Sequence, residues 1–304
     1  MNDQAKKLRD IIKKRDVVVD GNFQPYNEAR HEPRIIAVAS GKGGVGKSNF
    51  TINLGLELIN LGYRVTIIDA DIGLANVDVI LGVIPKYTLA DVINGRKTLK
   101  EVMAKGPKGI NLISGGSGLK ELIDLTEREL SPLVRDLDEV GQISDYILID
   151  TGAGINSTVL SFVRAAEQTI VVTTPEPTSI TDAYALIKNI ATDNLNDIRL
   201  LINRVESENE AEEVFNKLNI TSQRFLNTKL KKIGFLYDDN MVSKSVKMQK
   251  PFTLSYPDST VSKGIKVIAS SIVEKKEKDS YKAGGFKKFI NKLVSGYKKD
   301  FINR

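Results

Sequence analysis

From Arg34 onward the chain alternates short apolar runs with longer amphipathic stretches. The apolar runs predict strands at 34–39 (RIIAVA), 64–69 (RVTIID), 110–113 (INLI), 145–150 (DYILID), 168–173 (QTIVVT), 197–203 (DIRLLIN) and 231–236 (KKIGFL). Helical periodicity falls between them, near 47–61, 126–139, 156–166, 178–192, 207–219 and 258–273. Several runs are apolar at consecutive positions, as strands are when helices cover both faces of a mainly parallel sheet. The alternation predicts an α/β class, a doubly wound, mainly parallel sheet with helices on both faces.

The flanks follow other patterns. In residues 2–15, Leu8, Ile11 and Ile12 lie at i, i+3 and i+4 among charges, which predicts a short helix. Residues 16–33 hold Gly21, Pro25 and Pro33 and read as a linker. Residues 274–285 (EKKEKDSYKAGG) read as a charged tether. After it, Phe286, Phe289, Ile290, Leu293, Val294, Tyr297, Phe301 and Ile302 follow one face of a helix ~25 Å long, with lysines on the other face. The expected organisation is an N-terminal helix at 1–15, a linker at 16–33, a body at 34–273, the tether at 274–285 and an amphipathic helix at 286–304.

Charge sharpens this division. The net charge is +6, but residues 1–15 carry +4 and residues 282–304 carry +6, leaving −4 on residues 16–281. The basic character belongs to the ends, which suit anionic surfaces or acidic partners. A basic helix with aromatic anchors, too short in apolar residues to span a bilayer, is the pattern of a segment lying in the membrane interface. Each lysine near an anionic leaflet contributes about 1 kcal/mol. No apolar run reaches ~18 residues and the first residues lack an apolar signal core, so the expected location is cytoplasmic, peripheral to the membrane. The 304 residues include no Cys and one His, His31. That excludes disulfides, thiolate metal or iron–sulfur sites and a Ser–His triad.

Chemistry concentrates where strands end. Residues 40–48, Ser-Gly-Lys-Gly-Gly-Val-Gly-Lys-Ser, fit G-x-x-x-x-G-K-[ST] between a strand and a helix. Backbone N–H groups of Gly41, Lys42, Gly43, Gly44, Val45, Gly46, Lys47, Ser48 and Asn49 would cradle phosphates at a helix N-terminus. Lys47 would reach the β- and γ-phosphates and Ser48 would ligate Mg²⁺. Strand 64–69 runs into Asp69-Ala-Asp71, and strand 145–150 ends in Asp150 before Thr-Gly-Ala-Gly154. Carboxyl ends of strands are where open α/β sheets bind ligands. Asp150 reads as a magnesium-holding aspartate, Asp69 as support for the metal shell and Asp71 as the residue that orients or deprotonates water. Gly154 would belong to a loop that closes on the γ-phosphate. Strand 197–203 ends in Asn203-Arg204-Val205-Glu206, without the Asp of an N-K-x-D guanine reader, so ATP is favoured and Asn203 is expected at the adenine edge.

The early lysine, Lys42 in KGGVGKS, resembles the deviant phosphate loop of the MinD/ParA family of P-loop ATPases. The resemblance implies a homodimer formed on ATP, with Lys42 reaching the phosphates of the other subunit. It also implies a base-contact loop at Phe235–Asp239, here Phe235, Tyr237 and Asp239, and a membrane-targeting C-terminal helix. Two such helices on one dimer gain ~10²–10⁴ in avidity over one.

DQAKKLR at 3–9 resembles the activator motif of the flagellar branch of that family, the FlhG (YlxH, FleN) type. That resemblance implies that Asp3, Gln4, Leu8 and Arg9 contact the signal-recognition-type GTPase FlhF. It places Asp182, in the stretch Thr174–Ala183, near a dimer or partner surface, and adds flagellar C-ring switch proteins as partners. It implies control of flagellar number and placement, with no sequence-specific nucleic acid. Division-site placement of the MinD type and DNA partitioning of the ParA type are the alternatives.

Overall fold

The structure is a computed structural model, and it describes residues 32–71, 76–116, 118, 140–191, 197–278, 289–290 and 292–293. The chain divides at His31/Glu32. Residues 1–31, and with them Asp3, Gln4, Leu8, Arg9 and His31, lie outside the described residues, as does the helix expected at 126–139.

Runs of apolar residues without polar alternation can be satisfied only at the centre of a sandwich. β1 (Arg34–Ser40), β2 (Val65–Ala70), β4 (Asn111–Ser114), β5 (Tyr146–Ala153), β6 (Gln168–Thr173), β7 (Asp197–Val205) and β8 (Lys231–Tyr237) match the expected strands to within a few residues. A two-residue strand, β3 (Ala104–Lys105), was not legible in the sequence and pairs antiparallel with β4. The order is β3-β4-β2-β5-β1-β6-β7-β8, all parallel apart from β3. β1 sits at the middle, where the chain turns from building one half of the sheet to the other, so the loop after it faces the crevice at the strands' carboxyl ends.

Helices cover both faces. On one side lie α1 (Lys47–Asn60), α2 (Val77–Leu81), α9 (Phe252–Ser255) and α10 (Thr260–Lys278). On the other lie α3 (Leu89–Ile93), α4 (Leu99–Val102), α5 (Ser157–Ala165), α6 (Pro177–Ile190) and α7 (Glu208–Leu226). α8 (Asn240–Lys247) follows β8. Side chains cap the helix starts: Asn156 accepts from Val159 N at 2.9 Å and Ser207 from Glu210 N at 3.2 Å. α7 and α10 run further than expected, α10 into the stretch expected as a tether, where EKKEK is made of good helix formers.

One packing feature departs from the expected organisation. Phe289, Ile290 and Leu293 are buried in the core cluster on the α5 side, and the Phe289 ring lies 6.3 Å from that of Phe162. These three residues of the segment expected to stand off the body are seated on it. The segment's apolar stripe fits either an interface of lipid or a groove of the protein, and periodicity does not distinguish the two. Phe286, Val294, Tyr297 and Phe301 lie outside the described residues.

Candidate nucleotide site

β1 ends at Ser40 and α1 starts at Lys47, and the six residues between form the phosphate loop. Gly44 (φ 78°) and Gly46 (φ 95°) take left-handed backbone that side chains resist. Gly46 is the N-cap of α1 and offers no side chain to its first N–H groups, which leaves them for an anion. Gly41 is pressed against α6: a Cβ there would lie 2.1 Å from the Asp182 carbonyl oxygen. Asp182, expected at a partner surface, therefore supports the loop through its backbone.

Two charged side chains of the site pair with each other. Lys47 Nζ lies 3.1 Å from Asp150 Oδ1, and both residues are buried. Thr51, one turn along α1 from Lys47, donates its hydroxyl to the same oxygen at 3.1 Å. Asp150 Oδ2 is buried without a hydrogen-bond partner, as is Asn49 Oδ1. A buried carboxylate oxygen in that condition is costly unless a ligand completes it. Ser48 Oγ is 3.5 Å from Lys47 Nζ, on the same loop. The donor set, one hydroxyl and one carboxylate with an open oxygen, fits a magnesium ion that keeps most of its ligands as water and phosphate. Among the described residues no group of three or more His, Cys, Asp or Glu could hold a metal unaided.

Register explains the acid pair. Asp69 on β2 stands directly opposite Asp150 on β5. Burial, then the neighbouring Asp150 charge, pushes the Asp69 carboxyl up to about 7. Its oxygens accept from Asp71 N (3.1 Å) and Val77 N (3.4 Å), on either side of the segment between β2 and α2. The metal-shell role expected for Asp69 falls to oxygens that each already accept one backbone N–H group. Asp71 faces the end of β5: its Oδ1 is 3.6 Å from where a Gly152 Cβ would stand. Gly154 (φ 95°) donates its N–H to Ser40 O at 2.9 Å and so ties the backbone after β5 to the end of β1.

Beyond the phosphate loop lies a cavity of ≈ 310 Å³, lined by Gly46, Asn49, Asn203, Arg204, Tyr237 and Asp239 among others. Asn203 donates to Val45 O at 2.7 Å, and a Cβ on Gly46 would lie 2.3 Å from its nitrogen. The carboxamide that the sequence assigned to the adenine edge is turned onto the phosphate loop, an approach open only because residue 46 is glycine. Tyr237 lines the cavity, whereas Phe235 stands behind it, edge-on to the Tyr237 ring at 5.3 Å. Phe235 shares a strand face with Tyr237 but lies one pleat further from the end of β8, so it packs against the core beside Tyr237 and misses the contact expected of it. Asp239 caps α8, accepting from Met241 N at 2.9 Å, while its residue borders the cavity.

Lys42 is held within its own chain. Its Nζ lies 2.8 Å from Glu176 Oε2 and 2.9 Å from Thr178 Oγ1, at the start of α6. Sequence reasoning singled out this stretch without assigning Glu176 or Thr178, and it passed over Thr51 and Arg204. Only Thr51 left a signal, its i+4 spacing from Lys47 on an amphipathic helix.

Known proteins share this sequence and fold. The family model ParA, described as "NUBPL iron-transfer P-loop NTPase", matches residues 32–273. The chain belongs to the ParA family of P-loop NTPases. It is 42% identical to antiactivator FleN of Pseudomonas aeruginosa over 80% of this chain and 87% of that one. It is 34% identical to the flagellum site-determining protein YlxH of Helicobacter pylori over 97% and 99%. Its fold resembles the MinC:MinD cell division complex of Aquifex aeolicus, with a TM-score of 0.64 and 26% identity over 79% of this chain and 96% of that one. The expected family and fold class hold, and the protein is an ATPase of this family. No helix among the described residues is long and apolar enough to cross a membrane.

Proposed function

We propose that the protein is a Mg-ATP-dependent dimerising switch that attaches peripherally to the cytoplasmic face of the membrane and regulates flagellar number and placement. The observation that carries the flagellar assignment is the reach of the YlxH match, 97% of this chain, which is more than the ATPase body alone. The FleN likeness supports the same assignment. Iron transfer, named in the family description, would lack thiolates here, because the 304 residues hold no cysteine.

Each residue has a task in this reading. Backbone N–H groups from Gly41 to Asn49 and the start of α1 bind the phosphates. Lys47 leaves Asp150 for the β- and γ-phosphates. Ser48, and Asp150 through water, are the residues that would hold the magnesium of Mg-ATP, which supplies charge neutralisation. Asp71 orients the attacking water. Lys42 crosses to the phosphates of the second copy, so hydrolysis requires pairing. Loops after Asp71 and Asp150 close on the γ-phosphate. α5 follows the second of these loops and carries Phe162, against which Phe289 is seated, so loop closure is mechanically next to the docked C-terminal segment. Release of that segment presents Phe289, Ile290 and Leu293 to an anionic lipid surface. The N-terminal helix stimulates FlhF through Asp3, Gln4, Leu8 and Arg9, and flagellar C-ring switch proteins are further partners.

The test is a GTPase assay of FlhF with a peptide of residues 1–15, beside sedimentation of the full chain with ATP or ADP. Stimulation by the peptide and ATP-dependent pairing are expected. A chain that stays single at saturating, bound Mg-ATP overturns the switch, and an inert peptide overturns the GTPase partnership.

A further inference from the structure

Lys42 does not wave in solvent. Its neighbour Gly41 is clamped against the Asp182 carbonyl, which fixes where the lysine begins. Two acceptors from the start of α6, Glu176 and Thr178, then fix where it ends, at 2.8 and 2.9 Å. Side-chain exposures of 38% and 56% place the ion pair at the surface, where attraction is weak and reversible. Glu176 has a second cation in range. The Lys42 contact comes first and the Arg204 charge adds to it, both holding the Glu176 carboxyl below its ordinary range. Arg204 takes left-handed backbone (φ 58°), a strained state for a non-glycine residue, and it lines the nucleotide cavity beside Asn203.

We propose that Glu176 is a positioning residue for Lys42: it holds the lysine on its own chain while the protein is single, and surrenders it when pairing offers the lysine a second copy's triphosphate. This deepens the reading above and rests on Lys42 acting across the dimer. A single surface carboxylate loses the competition to a triphosphate in a closed site, where several negative charges act at low dielectric. A diphosphate lacks the terminal group and competes less. Glu176 is more than half exposed, so release of Lys42 leaves its carboxylate in water and strands no anion. The latch thereby sets a threshold that the second copy's phosphates must exceed before pairing.

The experiment uses the full chain and the Glu176→Gln variant, which keeps shape and removes charge. Acetylation of Lys42 by an amine reagent in Mg-ADP is read by mass spectrometry, with Lys47 as the internal reference. Labelling is expected about two- to fivefold faster in Glu176→Gln, the strength of an exposed ion pair, and Glu176→Asp should return it toward wild type. Sedimentation with Mg-ATP should show pairing about four- to twenty-five-fold tighter in Glu176→Gln, since each dimer breaks two latches. Unchanged labelling, unchanged pairing or weakened pairing in Glu176→Gln each overturns the latch. A wild type that stays single in bound Mg-ATP overturns the dimer switch instead, and the labelling arm still decides whether Glu176 restrains Lys42.

Discussion

Replacing Phe162 by alanine tests whether the seated C-terminal segment and the lipid surface compete for the same side chains. Phe162 belongs to the body, so the change leaves the apolar stripe of the C-terminal segment intact. Phe289, Ile290 and Leu293 are at most 3% exposed. Burial of such side chains is worth about 1.5–3 kcal/mol each, or about 5–9 kcal/mol together as an upper bound. Ordering the segment costs about 1–2 kcal/mol per residue, so the net hold is a small difference between large terms. The Phe162–Phe289 contact, at 6.3 Å and 31° between ring planes, contributes ring packing and the apolar area between the rings. Its loss takes about 2 kcal/mol from the seated state, which is roughly a 30-fold shift toward the released one. Co-sedimentation with anionic liposomes in Mg-ADP should rise toward the level the wild type reaches in Mg-ATP. Removing residues 284–304 from the same variant should take that binding away. A folded Phe162→Ala protein, verified by circular dichroism, that binds liposomes no better than wild type in Mg-ADP would refute the competition.

Asp150→Ala leaves Lys47 as a buried cation without its partner, so urea unfolding of the nucleotide-free protein should show a loss of about 3–5 kcal/mol, and phosphate release from ATP should fall below detection. Gly41→Ala drives a Cβ to 2.1 Å from the Asp182 carbonyl oxygen, and calorimetric titration should find ADP affinity at least about tenfold weaker through displacement of the phosphate loop. Asp69 has its folded-state carboxyl raised to about 7 from an unfolded value of 3.8, so the folded chain binds the extra proton between those values. Its contribution to stability is therefore full below pH ~4 and lost as pH rises through ~7. Nucleotide-free protein should lose stability across that window relative to Asp69→Asn, and parallel denaturation curves for the two would show that Asp69 is ionised throughout.

The parts of the site that are legible in the sequence share one property: local chain geometry sets them. A phosphate loop needs glycines at fixed offsets between a strand and a helix, and Gly41, Gly46 and Lys47 stand where that rule puts them. Asp71 and Asp150 stand out at strand ends because open sheets present those ends to ligands. The missed residues depend on contacts between distant segments. Glu176 and Thr178 meet Lys42 across more than 130 positions. Arg204 borders the cavity through a bulge at the end of β7 where it pairs with β8.

The same boundary divides the fold. Unbroken apolar runs were enough to specify the sheet, its parallel character and its two helical layers, because hydrophobic periodicity reflects which faces must be dry. Periodicity carries no name for what does the drying. The stripe through Phe289, Ile290 and Leu293 declared only that it wanted an apolar partner, and tertiary packing supplied Phe162 and its neighbours. Likewise, the residue types announced that Asp69 and Asn203 were polar groups near a ligand. Strand register and the bare Cα of Gly46 decided that one would hold the backbone after β2 and the other would brace the phosphate loop.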